Sequence, residues 1–542
     1  MAPHFGLKGR PLRLWLTLAC SVAMMPFGYD QALFSSLPSH LSPSEHLTAS
    51  YYAASFLGAL SVLHFGELLG RKRTILFSTA IMACGALLQV STIEFVQMTV
   101  GRMVSGIGNG MATATAPVWL AEMASAKRRG RMVFMMMAGS AVGFAVGNWV
   151  AFAMSDDTSF RVPMAFNFVF IILLFATVPW LPESPRWLMS KGRLIQATTT
   201  LADLEGKDKN DASNTALALR MNNDIHLAKK NRPSWKDICR GRGGSITRRL
   251  LLGIGVQVMQ QLSGIAVTAN FLPVILTETL GLSARLSRLL AACNATAFLL
   301  SSIGAIYIVP RFGSRKPMIT SSLSQSFSLL TFTLTTHFLS PNSPKHTPIP
   351  SLLSLLLFHI SFALSGWNAS PWLYPIELNN QAIRTQAVAL STATGWIVSF
   401  GVVEVTSSAI DALGWKFFIV WMVMNFLFAG VVWGCYFEME GEGLEDVDRF
   451  DWEGYPILGW GRRPDVKDRG GGGEEVVRGG GGKSQDGKEW VQMLRRDGTS
   501  VKDMAVGGMP VVMEGYTMEG ASGSGPGQRQ RRESRAVDPL ER

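Results

Sequence analysis

Residues Gly366–Trp396 read GWNASPWLYPIELNNQAIRTQAVALSTATGW, and they fix the class of the whole chain. The stretch opens in apolar sequence and is expected to break at Pro371 and Pro375. It then carries Glu377 and Arg384 in a short polar turn and re-enters apolar sequence. Helix-breaking prolines at membrane depth are tolerated where the freed backbone lines a protein cavity rather than lipid. Paired interrupted segments in two halves of a chain mark the solute site of a carrier. A second copy lies upstream. Pro117-Val118-Trp119-Leu120-Ala121-Glu122 precedes Arg129 as Pro371-Trp372-Leu373-Tyr374-Pro375-Ile376-Glu377 precedes Arg384, with seven residues from Glu to Arg in each copy. The copies are offset by 255 residues, and the same offset carries Glu183 onto Glu438, again just past an apolar run. The pattern is that of a duplicated membrane protein.

Composition agrees. Apolar residues make up 48% of the 542 residues and charged residues only 16%, against roughly 25% in soluble proteins; mean hydropathy is +0.21. About twelve stretches reach the ~20 apolar residues a spanning helix needs. They lie near 12–36, 48–66, 74–92, 96–120, 132–154, 162–181, 249–277, 287–309, 317–339, 350–375, 386–410 and 415–437. The expected fold is an all-α membrane protein of twelve transmembrane helices in two six-helix bundles, 12–189 and 248–449. A cytoplasmic N-terminus (1–11) precedes them, a cytoplasmic linker with helices (190–247) joins them, and a disordered cytoplasmic tail (450–542) follows. The tail is rich in Gly, Arg, Glu and Asp and has too little apolar sequence to bury a core. Its Gly482-Lys483-Ser484 fails as a phosphate loop, because the glycine required five residues earlier is Val477.

The net charge of +11 falls in alternate loops: Arg71-Lys72-Arg73, Lys127-Arg128-Arg129, the segment 187–249, and Arg311, Arg315 and Lys316. Basic loops stay on the cytoplasmic side, so the charge is a topology signal rather than a nucleic-acid footprint. Five cysteines, mostly within helices, show neither disulfide nor metal spacing. No cofactor or metal is expected. The first apolar run is full length and lacks a cleavage site, so it is expected to remain as helix one.

Asp30 sits inside helix one, and an ionisable residue within a span is a functional candidate, usually paired. Gly101-Arg102 opens helix four, which continues through Gly106, Gly108 and Gly110. Small residues at that spacing let helices approach closely. With no preceding strand, they are not a nucleotide loop. Helix seven carries Gln257 and Gln260-Gln261-Leu262-Ser263-Gly264-Ile265. Asn294 and Asn368 begin N-x-[ST] triplets but are expected inside helices, which argues against glycosylation.

Together these motifs resemble the sugar porter family of the major facilitator superfamily, with a fungal cast in the last third. They are Gly28–Gln31 (GYDQ), the turn Gly66–Arg73, Gly101–Gly110, Pro117–Gly130, Pro182–Leu188 (PESPRWL), Gln260–Ile265 (QQLSGI) and Gly366–Thr385, in family order over residues 15–450. The resemblance implies a carrier that moves a sugar or sugar-like solute by alternating access, a monomer in the plasma membrane with cytoplasmic termini. It implies Asp30 and Arg102 as a proton-coupling pair. Gln260, Gln261 and Gln257 would be amide ligands to hydroxyls, and Trp372 and Trp396 would flank the solute. Glu67, Arg71, Glu122, Arg129, Glu183, Arg186, Arg311, Glu377, Arg384 and Glu438 would form a cytoplasmic charge network that latches one conformation.

The chain also departs from the family. Met137 stands where a helix-five glutamine is expected, Ala266 and Gly395 where asparagines are, and Ser399 replaces another amide. Pro310 replaces an acidic residue of the second-half turn, and Phe437-Glu438-Met439 replaces PET. The cavity is therefore more apolar and the network thinner in the second half. Two other readings are a nutrient sensor of the same fold and a carrier of a non-sugar organic solute. An enzyme is disfavoured, since no His/Asp/Ser constellation is present.

Overall fold

A computed structural model describes residues 5–34, 44–153, 161–208, 211–230, 240, 244–338, 348–439 and 459. Most of the 37–47 loop, residues 340–347, Cys239 and the tail 450–542 (Gly459 apart) lie outside the described residues. The chain divides into two units, Met1–Gly473 and Glu474–Arg542. The second lies wholly outside the described residues, and every helix and contact described belongs to the first.

The N-terminal half contains α1 (Arg10–Phe34), α2 (Ser44–Leu69), α3 (Arg71–Val90), α4 (Phe95–Met123), α5 (Ala126–Ala153) and α6 (Arg161–Thr177). Three shorter helices come next, α7 (Pro185–Ser190), α8 (Leu194–Glu205) and α9 (Ala212–Lys230). The C-terminal half contains α10 (Ser245–Gln260), α11 (Ala266–Glu278), α12 (Ala284–Phe312), α13 (Arg315–Phe338), α14 (Ile349–Leu364), α15 (Ser370–Leu378), α16 (Arg384–Leu413) and α17 (Phe417–Cys435). No strand occurs among the described residues. Nine helical segments among them are long and apolar enough to cross a membrane. With α4, α13 and the interrupted pair α14–α15, they make twelve spans.

The duplication read from the sequence is visible in the packing. In the first half α1 packs on α5, α2 on α4, and α3 on α4 and α6. The second half repeats this: α10 on α16, α12 on α14, and α13 on α14 and α17. The halves meet along α2–α16 and, symmetrically, α5–α12. Their outer faces expose Leu18, Leu57, Phe77, Ile172, Leu300, Phe327 and Phe426, while Arg71, Arg102, Arg129 and Arg384 are buried inside. That is the arrangement a lipid solvent selects.

Glycines set the closest approaches. A Cβ on Gly143 of α5 would lie 2.0 Å from the Met25 carbonyl oxygen of α1, and one on Gly110 of α4 would lie 2.0 Å from that of Ser55 on α2. The helix-four glycine run is therefore packing, as its spacing implied.

The breaks differ from expectation. Pro371 does not end a helix; it stands in the first turn of α15, where a missing N–H costs nothing, and Pro375 lies within α15. The interruption comes earlier, at residues 365–369, where Gly366 takes φ 96°. Asn368 lies in this break rather than in a helix. Pro117 leaves α4 unbroken, so the upstream copy has no matching gap. The other interruption falls between α10 and α11, a π-helical turn Gln261–Ile265 with Gly264 at φ 91°.

Candidate functional site

Three polar layers are stacked along the bundle. The first lies at the end where α3 begins, here called the basic end. Arg71 opens α3 and donates from Nε and Nη2 to the two carboxylate oxygens of Glu122 on α4, at 3.0 Å each, and from Nη2 to Glu67 at 3.3 Å. Ser184 adds a 2.6 Å hydrogen bond to Glu122 while capping α7. Arg129 on α5 crosses to the other half, donating from Nε and Nη2 to Glu377 of α15 at 3.0 and 2.8 Å. Both members are buried, at 2% and 5% exposure. Both donors converge on Oε1 of Glu377, a short, charge-assisted contact.

Glu183 and Glu438 repeat one role, as their 255-residue offset suggested. Glu183 accepts the backbone N–H groups of Arg71 (3.0 Å) and Lys72 (3.2 Å) at the start of α3. Glu438 accepts that of Arg315 (3.1 Å) at the start of α13. A carboxylate on a helix N-terminus satisfies orphan donors and the positive end of the dipole. Gly70 and Gly313, at φ 86° and 79°, leave room for it: a Cβ there would sit 2.7 and 2.2 Å from the two carboxylates. Burial pushes the Glu183 carboxyl up, against the pull of the Ser184 N–H and Arg71. Arg186 is buried at the start of α7. Arg384 braces the turn before α16, donating to the carbonyl oxygens of Ile376 (3.1 Å) and Asn379 (3.2 Å). Arg311 departs from expectation. It is exposed at the end of α12 and forms no ion pair among the described residues, because Pro310 has replaced the acidic partner at that turn.

The second layer is aromatic and lies about twelve residues into α16, roughly 18 Å from the first. The Trp396 ring stacks on Tyr52 at 5.8 Å, meets Phe27 edge-on at 5.1 Å and lies 6.3 Å from Trp372. The cluster thus joins α1 and α2 to α15 and α16. The indole N–H groups of Trp372 and Trp396 are buried and have no acceptor among the described residues. Buried polar groups are normally paired, so two donors aimed at no protein partner mark a place where a ligand's oxygens fit.

The glutamines have a double role. Gln260 donates to the Trp367 carbonyl (2.8 Å) and Gln257 to that of Pro371 (3.0 Å), which are free because Pro371 and Pro375, four residues on, have no N–H to donate. Gln261 donates to the Gln260 amide oxygen at 3.4 Å. Two residues were not found from sequence: Tyr52 donates to Asn270 across the halves at 2.9 Å. Their only sequence signal is a polar residue on a buried helix face.

The third layer is Asp30 and Arg102, 3.6 Å apart, with Asn167 donating to Asp30 at 3.0 Å. The Arg102 guanidinium lies 4.5 Å over the Tyr51 ring. Arg102 precedes Glu122 by twenty residues on α4, placing this pair roughly 30 Å from the basic end.

Two symmetric helical halves, an aromatic site between them and an ion pair crossing one end define a membrane transporter. The chain belongs to the sugar (and other) transporter family, whose match covers residues 20–450, and so to the sugar porters of the major facilitator superfamily. It is 39% identical over 485 residues to the MFS-type transporter oryC of Aspergillus oryzae, covering 86% of this chain and 90% of that one. It is 32% identical to the sugar transporter STL1 of Saccharomyces cerevisiae, covering 82% of each. The fold matches the proton:xylose symporter XylE bound to 6-bromo-6-deoxy-D-glucose, with TM-score 0.69, 22% identity, and coverage of 81% of this chain and 99% of that one. The inward-open form of XylE matches less well, at 0.58. The fold and the relatives are those of transporters, not enzymes.

Trp396→Ala is expected to raise the KM for solute uptake by up to about tenfold, since aromatic packing contributes about 0.5–1.5 kcal/mol beyond area burial and about 1.4 kcal/mol is tenfold. Trp396 is 2% exposed, and its truncation also lowers stability, so uptake kinetics are to be normalised to the surface level read by immunoblotting.

Proposed function

We propose that this protein carries a sugar-like solute across the plasma membrane by alternating access, in symport with a proton, with both termini in the cytoplasm. The observation that carries the reading is the Arg129–Glu377 bond. It ties the two halves at one end of a central site that holds two unpartnered indole donors. Breaking that bond lets the halves rock, so the solute site faces one side and then the other. Trp372 and Trp396 offer apolar faces to C–H surfaces and N–H groups to oxygens. Gln257 and Gln260 spend donors on the backbone, and Met137, Ala266 and Gly395 stand where amides would add contacts. These features favour a solute with fewer hydroxyls than a hexose and a larger apolar face. Asp30, buried beside Arg102, supports the proton step: a carboxylate takes a proton when its cationic partner withdraws.

Uptake of a panel of labelled sugars, polyols and deoxysugars in yeast lacking its own hexose carriers tests this, each with and without an uncoupler. Accumulation of one class, abolished by the uncoupler, is expected. Absence of uptake of every compound with the protein present at the surface would instead indicate a sensor or a non-sugar carrier.

A further inference from the structure

The ionic pair is not the whole of the closure at the basic end. Thr385, in the first turn of α16, is 5% exposed and belongs to the C-terminal half. Its hydroxyl accepts a 2.6 Å hydrogen bond from Nη2 of Arg71 in the N-terminal half, and the same Nη2 donates to Glu67 at 3.3 Å. Its methyl carbon would lie 3.1 Å from a Cβ on Gly66, closer than an ordinary contact, so the glycine eases the approach of α16 to α2. Arg71 is already neutralised by Glu122 and Glu67 within its own half. The guanidinium therefore needs no charge from across the seam and uses a hydroxyl there.

Among the described residues the opposite seam, α5–α12, has no such contact. The duplication offset places Gly130 opposite Thr385, and the turn alignment that pairs Gly70 with Gly313 places Ser314 opposite Arg71. Neither can build the equivalent bridge. Glu67 and Arg71 line a cavity of about 270 Å³, together with Gln381 and Gln386 of the C-terminal half and Lys229 of α9. Open space beside Arg71 and Glu67 lets these groups exchange the Thr385 contact for water as the seam opens, so the contact is breakable.

We propose that Thr385 is a gating residue, a neutral latch on the α2–α16 seam that acts with the Arg129–Glu377 pair to hold the basic end closed. The proposal rests on the alternating-access reading and adds a residue to it. The role is one of positioning, since Thr385 lies at the gate and not in the aromatic layer.

The test uses Ala121→Cys as reporter. Ala121 is fully buried in a small apolar seal with Val118, Ile376 and Val388, drawn from both halves. A thiol there should react with a maleimide in permeabilised membranes only when the basic end opens, above the background of the parent chain. Thr385→Val keeps the shape and removes the hydroxyl. It is expected to raise the labelling rate about tenfold, the effect of one lost hydrogen bond to a charged group. The apparent KM for uptake should rise with it, and Thr385→Ser should restore both. Labelling by Thr385→Val equal to wild type, while Glu377→Gln raises it, would overturn the role of Thr385 and leave alternating access standing. Labelling unmoved by either variant would count against alternating access itself. Loss of surface protein in Thr385→Val without rescue by Thr385→Ser would assign the residue to folding and also overturn the proposal.

Discussion

Asp30→Asn is expected to abolish accumulation of solute against a gradient while leaving equilibrative exchange measurable. Asp30 is 4% exposed, 3.6 Å from the Arg102 guanidinium and hydrogen-bonded by Asn167 at 3.0 Å. Asparagine preserves size and the bond from Asn167, but it carries no charge and takes up no proton. Transport can then no longer draw on the proton gradient, and the ratio of internal to external solute should fall to about one. Arg102 also loses its counter-charge. Breaking a buried pair costs about 3–5 kcal/mol, so less protein should reach the membrane, and uptake must be normalised to surface level. The check is steady-state accumulation with and without an uncoupler. An unchanged, uncoupler-sensitive ratio in Asp30→Asn would reduce the pair to a strut between α1 and α4.

The second large effect belongs to the closed end. Glu377→Ala leaves Arg129 buried without the carboxylate that accepts both of its described bonds. The same 3–5 kcal/mol, at about 1.4 kcal/mol per decade, shifts the balance of states a hundredfold or more toward opening at the basic end. The two halves differ in how much redundancy they have. Glu122 is held within its own half by Arg71 and Ser184, whereas in the C-terminal half Ser314 stands in the place of Arg71. Uptake should fall at least tenfold in Glu377→Ala, with faster thiol labelling of the Ala121→Cys reporter. The double exchange Arg129→Glu with Glu377→Arg should recover part of both, whereas either exchange alone puts like charges together. Failure of the pair to rescue would show that the two residues act separately.

Much of this was legible because duplication repeats local chemistry. The offset that relates Glu122 to Glu377 also relates Glu183 to Glu438, and each of the latter caps a helix start beside a left-handed glycine. The helix-four glycines could be read as packing since small residues at that spacing have one main use in lipid. Helix interruptions were harder. Proline suggested breaks at 371, 375 and 117, but proline in a first helical turn costs nothing, and the chain instead turns at Gly366 and Gly264, whose positive φ leaves no mark in a hydropathy profile. Contacts between the halves were the least legible. Tyr52 with Asn270 and Arg71 with Thr385 join residues 218 and 314 positions apart, and no periodicity encodes such a pairing. Arg311 shows the converse: a motif position survives while its acidic partner has become Pro310, and the side chain is left in the open.

The decisive observation is trans-stimulation. Cells or vesicles holding the protein would be preloaded with the unlabelled solute identified by the uptake panel, and entry of the labelled solute would be timed. One site exposed alternately to the two sides predicts faster labelled entry into preloaded than into empty cells, with the difference lost in Glu377→Ala. Entry that ignores the internal solute, or that persists unchanged when Arg129 and Glu377 are separated, would contradict alternating access through this site.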